Sequence, residues 1–410
     1  MVRRSLGYGV RPMSAIRDGV TILTKGWNGS SLLIVVTVSL LLLLGLIFVH
    51  SATATAETPF PGPYAISQLK KVILGFVVMI GVSCVSPRVI EKFAPLFFGA
   101  TICLLCGLLV YKLATSGGVV RWIRIPGFQF QPSELAKIST VLMMATLLRG
   151  GLRQSRWKQV LSILACAAIP FLLIAAQPDL GTAMILVPMV VAMVWVAQMS
   201  KRRLFLLFLS SIAFSFIAYE ADLIHDYQIK RINQALGLVD PADGNQGSYQ
   251  INQSIIALAS GGPMGKGLHM GTHHDLGYLP EDHNDFIFAV IGEEWGFQGT
   301  VLIVAGFLLL GITMLGLAWA TRDHFGRLLV VGIATLLMIQ SLVNQAVVIQ
   351  LLPVTGLTLP FISYGGTSIV VSLMGVGLVL SVARHPVEVS HPDGLRSGSS
   401  PIRNKSTVSA

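Results

Sequence analysis

Three carboxylates in this chain stand where a polar stretch turns into a long apolar run. Glu134 follows Gln131-Pro132-Ser133, Asp179 follows Gln177-Pro178, and Asp285 follows Glu281-Asp282-His283-Asn284 and leads into the apolar run 286–291. A proline in the first turn of a helix loses no hydrogen bond, and a carboxylate there meets the positive end of the helix dipole. Each acid is therefore either a helix cap or a member of a polar site at the membrane surface. Lys137 lies three residues beyond Glu134 on the same helical face, so the two also read as an ion pair. Arg121 and Trp122 belong to the polar loop that leads into Glu134.

The longest polar stretch covers about 223–298. Its residues 249–259, with Gln253 and Ser254 among them, have the pattern of an amphipathic helix lying along an interface. The glycines around Lys266 that follow allow tight turns or close backbone approach to a bulky polar ligand. Five of the nine histidines, His225, His269, His273, His274 and His283, fall in this stretch. Their spacing matches no zinc pattern, so they read as solvated loop histidines. A last segment, 355–368, is rich in glycine and hydroxyls and carries Ser363 and Tyr364. At membrane depth such a segment is buried in protein or lines a wet cavity, and we expect it to form one wall of a site.

The elements that must position these groups are membrane spans. The chain is 53% hydrophobic and only 12% charged, against about 25% charged in soluble domains. Apolar runs at about 32–50, 68–86, 95–112, 133–148, 159–176, 182–198, 204–222, 299–320, 328–351 and 366–383 approach or exceed the length needed to cross a bilayer. The fold class expected is an all-α polytopic membrane protein of about ten transmembrane helices, with a large outer-face loop between spans seven and eight. With the N-terminus inside, the inner segments hold 20 of the 29 basic residues and 5 of the 19 acidic ones. That asymmetry puts both termini in the cytoplasm and the polar motifs outside. The basic balance is then a topology signature, and nucleic acid need not be invoked. The organisation read from the chain is a basic segment at 1–31, a transmembrane domain at 32–384 and a disordered cytoplasmic tail at 385–410.

Two features are set aside. The Ser51–Ala56 stretch resembles a signal-peptide cleavage site, but the apolar run before it is too long and starts too late, so we read a retained first span. Cys84, Cys103, Cys106 and Cys166 all fall in or at the ends of apolar runs and read as small apolar filler, with no disulfide or zinc framework.

Taken together, RWIRIPGFQFQPSELAK, AQPDLGT, YQINQS, SGGPMGKGLHMGT, LPEDHNDFIFAVIGEEWGFQG and TGLTLPFISYGGTS resemble the motifs of the SEDS family (shape, elongation, division and sporulation) of polytopic peptidoglycan glycosyltransferases. The resemblance runs from about 32 to 384, and the G-K-G with its following G-T looks more like the elongation member RodA than the division member FtsW. Asn284 and Asp282 depart from the residues usual in the family. The resemblance implies polymerisation of lipid II, the undecaprenyl-linked disaccharide-pentapeptide, on the outer face of the cytoplasmic (inner) membrane, in partnership with a class B penicillin-binding protein transpeptidase. It carries the catalytic carboxylate onto Asp285, either as general base or as a ligand for a divalent cation, Mg²⁺ or Mn²⁺, and it implies no organic cofactor. Supporting or substrate-binding roles are expected for Arg121, Trp122, Gln131, Glu134, Lys137, Gln177, Asp179, Gln253, Ser254, Lys266, His283, Ser363 and Tyr364. The rival class is a transporter such as a lipid II flippase, which should place ionisable groups at the bilayer midplane. Here the polar groups gather at one face. The division-specific polymerase is the second alternative, and a pure scaffold would leave the dense outer motifs unexplained.

Overall fold

A computed structural model describes residues 28–53, 61–115, 121–125, 128–151, 157–198, 246–272 and 283–386. Within them the chain forms α1 (Gly29–Thr53), α2 (Pro63–Ser83), α3 (Pro87–Ala114), β1 (Ile123–Ile125), β2 (Phe128–Phe130), α4 (Pro132–Leu148), α5 (Trp157–Ala176), α6 (Leu180–Val196), α7 (Gln246–Gly261), α8 (Ile287–Ala320), α9 (His324–Val348) and α10 (Gly366–Arg384). Seven of these helices are long and apolar enough to cross a membrane, and α6 is a shorter apolar helix. α4 has 17 residues and carries Glu134 and Lys137 within its first turns. The expected span at 204–222 lies outside the described residues, as do His225, His273 and His274.

Outer surfaces of the helices are apolar. Leu40 and Leu43 on α1, Val77 on α2 and Leu96 on α3 are all more than half exposed. In water such a surface would be a liability; in a bilayer it is the face turned to solvent. Among the seven long apolar helices the most buried are α9 and α10, and they form the axis against which α2, α4, α6 and α8 pack.

Links between helix ends fix the up-and-down order. At one end, the Lys112 ammonium at the close of α3 donates to the Ala176 carbonyl at the close of α5. At the other, Arg149 after α4 pairs with Glu91 near the start of α3, and Arg384 of α10 donates to the Cys84 sulfur after α2. The starts of α2, α4, α6 and α10 thus share the end at which α3 and α5 finish.

Several boundaries differ from those expected from hydropathy. α2 begins at Pro63 and α3 at Pro87, each earlier than the apolar run, because proline at the first position is a good helix start whatever the polarity that follows. Pro95, expected to mark an edge, lies inside α3. The loop before α4 contains a two-stranded antiparallel ribbon pairing Ile123 with Phe130 and Ile125 with Phe128; alternating Ile-Arg-Ile and Phe-Gln-Phe around Pro126-Gly127 suits strands.

α8 starts at Ile287, within the 223–298 stretch, and its second part, beyond Gly296, matches the span expected from about 299. It runs on through a kink at Gly296, whose φ of 66° is left-handed, and a Cβ there would stand 2.3 Å from the Gly265 backbone nitrogen. Only glycine fits both the conformation and the contact. The piece before the kink is buried from Ile287 to Glu294, so the motif that leads out of the polar loop dives into the bundle before the span proper begins. The expected amphipathic segment 249–259 is helical, within α7, and packs against this buried piece of α8.

Candidate active site

At the end where α2, α4, α6 and α10 begin, a cavity of about 700 Å³ opens between them. Its lining comes from α2 (Tyr64, Ser67, Lys71), the ribbon segment (Arg121, Trp122, Gln129), the head of α4 (Gln131, Glu134), the head of α6 (Asp179, Thr182), the lead into α8 (Asn284, Asp285) and the α9–α10 connection (Gly356, Leu357, Thr358, Tyr364, Gly365, Gly366, Ser368). The three junction carboxylates of the sequence thus share one cavity.

Each carboxylate is held differently. Pro132 occupies the first position of α4 and Glu134 lies in its first turn. Glu134 accepts a 2.8 Å hydrogen bond from Lys137, which is 1% exposed and also donates to Gln340 Oε1 at 2.7 Å. A lysine this buried needs its charge matched, and the pair supplies that. Asp179 is the N-cap of α6, with Oδ1 accepting from the Thr182 backbone N–H at 3.4 Å. Its Oδ2 accepts from Gln131 Nε2 at 2.9 Å and Ser133 Oγ at 3.2 Å. Asp179 thus caps α6 and lines the cavity with one side chain. Asp285 is half-buried on the cavity wall. The N-cap of α8 is Phe286, with no side-chain cap bond.

One face of α9 sets the frame. Gln340 receives the Lys137 bond and donates 3.0 Å to the Thr358 carbonyl. One turn later Asn344 donates 2.8 Å to the Asp285 carbonyl and 2.7 Å to the Leu357 carbonyl. A buried amide that spans two backbone carbonyls fixes their separation. α9 therefore holds Lys137, the Asp285 backbone and the 355–358 segment in register. Gly356 sits between them with φ 70°, and a Cβ there would lie 3.7 Å from Asp285 Oδ2.

The opposite wall is cationic and aromatic. Arg121 donates to the Gln177 carbonyl at 3.3 Å and to the Pro178 carbonyl, while Gln177 Nε2 reaches back to the Leu105 carbonyl. The Lys71 ammonium lies 3.7 Å from the centre of the Tyr364 ring. Tyr364 OH is 3.2 Å from Ser67 Oγ. Burial pushes the Tyr364 phenol up, but hydrogen bonds with Lys71 and Ser67 and the Lys71 charge outweigh it, leaving the phenol below its ordinary range. His283 packs edge-on to Tyr64 with ring centres 5.2 Å apart and accepts the Tyr364 N–H on its carbonyl. Ser363 closes the turn, its hydroxyl accepting from the Leu359 N–H and its carbonyl accepting from Gln68.

Among the expected residues, Arg121, Trp122, Gln131, Glu134, Asp179, Asp285 and Tyr364 line the cavity. Lys137, Gln177, His283 and Ser363 stand directly behind that lining. Gln253, Ser254 and Lys266 lie elsewhere. Ser254 Oγ donates to the Val348 carbonyl and ties α7 to α9, Gln253 is half-buried on α7, and Lys266 pairs with Glu293 at 2.6 Å. Tyr64, Ser67, Lys71, Gln340 and Asn344 were not expected. Lys71 within the 63–83 apolar helix, and Gln340 and Asn344 four residues apart in another, are polar groups at membrane depth and carry that signal in the sequence.

No group of three His, Cys, Asp or Glu side chains with metal-holding geometry occurs among the described residues. Glu134 and Asp179 are engaged by Lys137, Gln131 and Ser133. A divalent cation bound in the cavity would have the Asp285 carboxylate on the wall beside it and would supply positive charge to an anionic ligand.

With this geometry in hand, the relatives are informative. A probable peptidoglycan glycosyltransferase FtsW from Geobacter sp. (strain M18) is 37% identical over 87% of this chain and 97% of its own. The peptidoglycan glycosyltransferase MrdB of Escherichia coli (strain K12) is 35% identical over 78% of this chain and 85% of its own. Among solved structures, a chain from a peptidoglycan synthase complex, studied for its coordination of polymerization and crosslinking, superposes with a TM-score of 0.70 at 28% identity, covering 87% of this chain and 98% of that one. The rod shape determining protein RodA of Thermus thermophilus superposes with a TM-score of 0.62 at 28% identity, over 86% of this chain and 96% of its own. The profile of the FtsW/RodA/SpoVE family, described as cell cycle protein, matches residues 31–388, and the chain is a multi-pass membrane member of that family.

Proposed function

We propose that the chain polymerises lipid II into glycan strands on the outer face of the cytoplasmic membrane, with Asp285 as the catalytic carboxylate. As a member of its family the chain is a peptidoglycan glycosyltransferase. The observation that carries the finer reading is the position of Asp285, on a polar cavity at the helix ends where Lys71 and Arg121 also face inward. A sugar hydroxyl attacking an anomeric carbon must lose a proton, and the departing lipid pyrophosphate must be stabilised as it leaves. Asp285 accepts that proton, while Arg121 and Lys71 neutralise the leaving phosphates. A divalent cation bound with the substrate would supply further charge to the pyrophosphate. The buried Glu134–Lys137 pair and the Asp179 cap orient the wall between them. Exposed apolar helix faces offer the polyprenyl chain its path.

A flippase would need ionisable groups along a path through the membrane, whereas the charged groups of this cavity gather towards one end of the bundle. We assign the role to cell-wall elongation and cell-shape maintenance, on the G-K-G and G-T residues Gly265-Lys266-Gly267 and Gly271-Thr272. A class B penicillin-binding protein is the proposed partner, and both termini are proposed to be cytoplasmic.

The decisive experiment is glycan-strand formation from lipid II by the purified chain, with and without the transpeptidase. Polymer of defined length is expected, and a chain that moves lipid II across vesicles without polymerising it would overturn the reading. Rescue of a strain depleted of its elongation member, and not of its division member, tests the assigned role. Orientation is checked by a cysteine in place of Met264, which is 78% exposed. It should label from outside the cell, and a cysteine at Arg149 only from the cytoplasm.

A further inference from the structure

A second cavity, of about 1170 Å³, lies at the opposite ends of the helices from Asp285. It is formed where α3 and α9 begin and α4 and α10 finish, and its lining carries four fixed cations, Arg88, Lys92, Arg149 and Arg384, against two carboxylates, Glu91 and Asp323. Arg149 pairs with Glu91, and Asp323 is engaged as the α9 N-cap by the Gly326 N–H at 2.8 Å. Four cations against two carboxylates leave the lining with a net charge of +2, and Arg88 and Lys92 of α3 with Arg384 of α10 bring positive charge to it from two different helices. α3 adds to it: its N-cap Ser86 makes no side-chain cap bond, so the positive end of the helix dipole faces the same space.

The chemistry of the border is independent of that charge. On α3, Val89, Phe93 and Leu96 are 43%, 54% and 69% exposed, spaced as one stripe running from the cavity edge along the helix towards the membrane interior. A cationic recess continuous with an apolar stripe matches an amphiphile that carries phosphate at its head and hydrocarbon behind. We propose that this cavity is a binding site for an anionic membrane phospholipid, its phosphate held by Arg88, Lys92 and Arg384 and its acyl chains laid along Val89, Phe93 and Leu96. Such a lipid ties α3 to α10 in the leaflet opposite the one that faces the candidate active site. The inference does not rest on the glycosyltransferase reading.

The test uses the full chain, stripped of lipid in detergent and titrated with phosphatidylglycerol, cardiolipin, phosphatidylcholine or inorganic phosphate, with bound lipid counted by native mass spectrometry. Saturable binding of the two anionic lipids is expected, with phosphatidylcholine at least tenfold weaker. Arg88→Gln, Lys92→Gln and Arg384→Gln combined should weaken anionic lipid about 100-fold, since each basic group near a charged lipid contributes about a factor of five. Lys158→Gln with Arg322→Gln, cations at the same end but outside the lining, should leave it unchanged. Glu91→Gln removes one of the opposing charges and should tighten it severalfold, which keeps the question open to measurement should the triple variant fold poorly. Equal binding by the triple variant, equal loss in the control pair, or weaker binding in Glu91→Gln would each overturn the site. Competition by millimolar inorganic phosphate would show a soluble-anion site instead of a lipid site and would overturn the proposal equally.

Discussion

Two lysine–glutamate pairs with a buried glutamate lie among the described residues, and they have different surroundings. Lys137 and Glu134 meet at 2.8 Å on α4, and Lys266 and Glu293 meet at 2.6 Å between the α7–α8 connection and α8. Both glutamates are almost fully covered. The first pair borders a cavity that also holds Asp285, Asp179 and Arg121. The second is closed in by backbone: Thr272 donates to Glu293 through both its N–H and its hydroxyl, and the Lys266 and Gly267 N–H groups bond to the Glu293 and Glu294 carbonyls. Next to it, Glu294 accepts from Ser51 of α1. Buried charge alone therefore does not mark a reactive site. The pair that borders the first cavity is the one we propose to serve the reaction, whereas charge enclosed by backbone fastens segments together.

That contrast can be broken by substitution. The largest effect is expected at Asp285, where Asp285→Asn keeps volume and loses charge. Polymerisation of lipid II should fall by about 100- to 10,000-fold, with gel-filtration profile and thermal midpoint unchanged. Activity within a few-fold of wild type would move suspicion to Glu134 or Asp179. Next comes Lys137→Met, which removes bonds to Glu134 and Gln340 and leaves a buried acid alone. A charged hydrogen bond is worth about 1.5–3 kcal/mol, so about a 10- to 100-fold loss of rate is expected; adding Glu134→Gln should restore the thermal midpoint but not the rate.

The matched change in the sealed pair, Lys266→Met, should do the reverse. Its cost is a lowered thermal midpoint, corresponding to about 1–3 kcal/mol because the Lys266 side chain is 26% exposed. The rate per folded molecule should stay within about threefold, a small change beside the ~100-fold scale of general-base loss. A rate collapse at constant midpoint would dissolve the distinction between the two pairs. The smallest effect is expected for Tyr364→Phe. Because the phenol titrates below its ordinary value of 10.0, wild-type activity should decline as pH rises through that lowered value and phenolate faces the phosphates. The variant should keep its activity further into the alkaline range, with only a few-fold change at neutral pH.

The spans and the open cluster were legible because their signals are local. Prolines, junction carboxylates and apolar runs announce helix starts, and Glu134 with Asp179 could be read as helix-end groups from three neighbours each. What joins them was not local. Gln340 and Asn344 lie in an apolar helix about 200 and 59 residues from the groups they hold, and their role depends on how α9 is rotated against α4 and α8. Lys71 was overlooked because the Lys70-Lys71 pair near the start of an apolar span resembles groups reaching to the interface. Lys266 lies away from the cavity: a glycine-rich loop with one cation resembles a ligand cradle in sequence, while those glycines let the loop backbone lie against α8. The early start of α8 was hidden because the kink that separates its two parts depends on one residue's φ.

The shortness of α6 has a consequence for the membrane itself. Its 17 residues rise about 25 Å, less than the roughly 30 Å of an average hydrocarbon core. Its lipid-facing stripe of Met184, Val187, Val191 and Trp195 is shorter still, and the basic run Lys201-Arg202-Arg203 follows close behind. A bilayer meeting so short a stripe adjusts by thinning beside it. Asp179 and Thr182, at the head of this helix, are on the wall of the cavity. The membrane would therefore be thin beside the helix whose head forms part of the cavity wall, bringing the lipid surface and the cavity closer together.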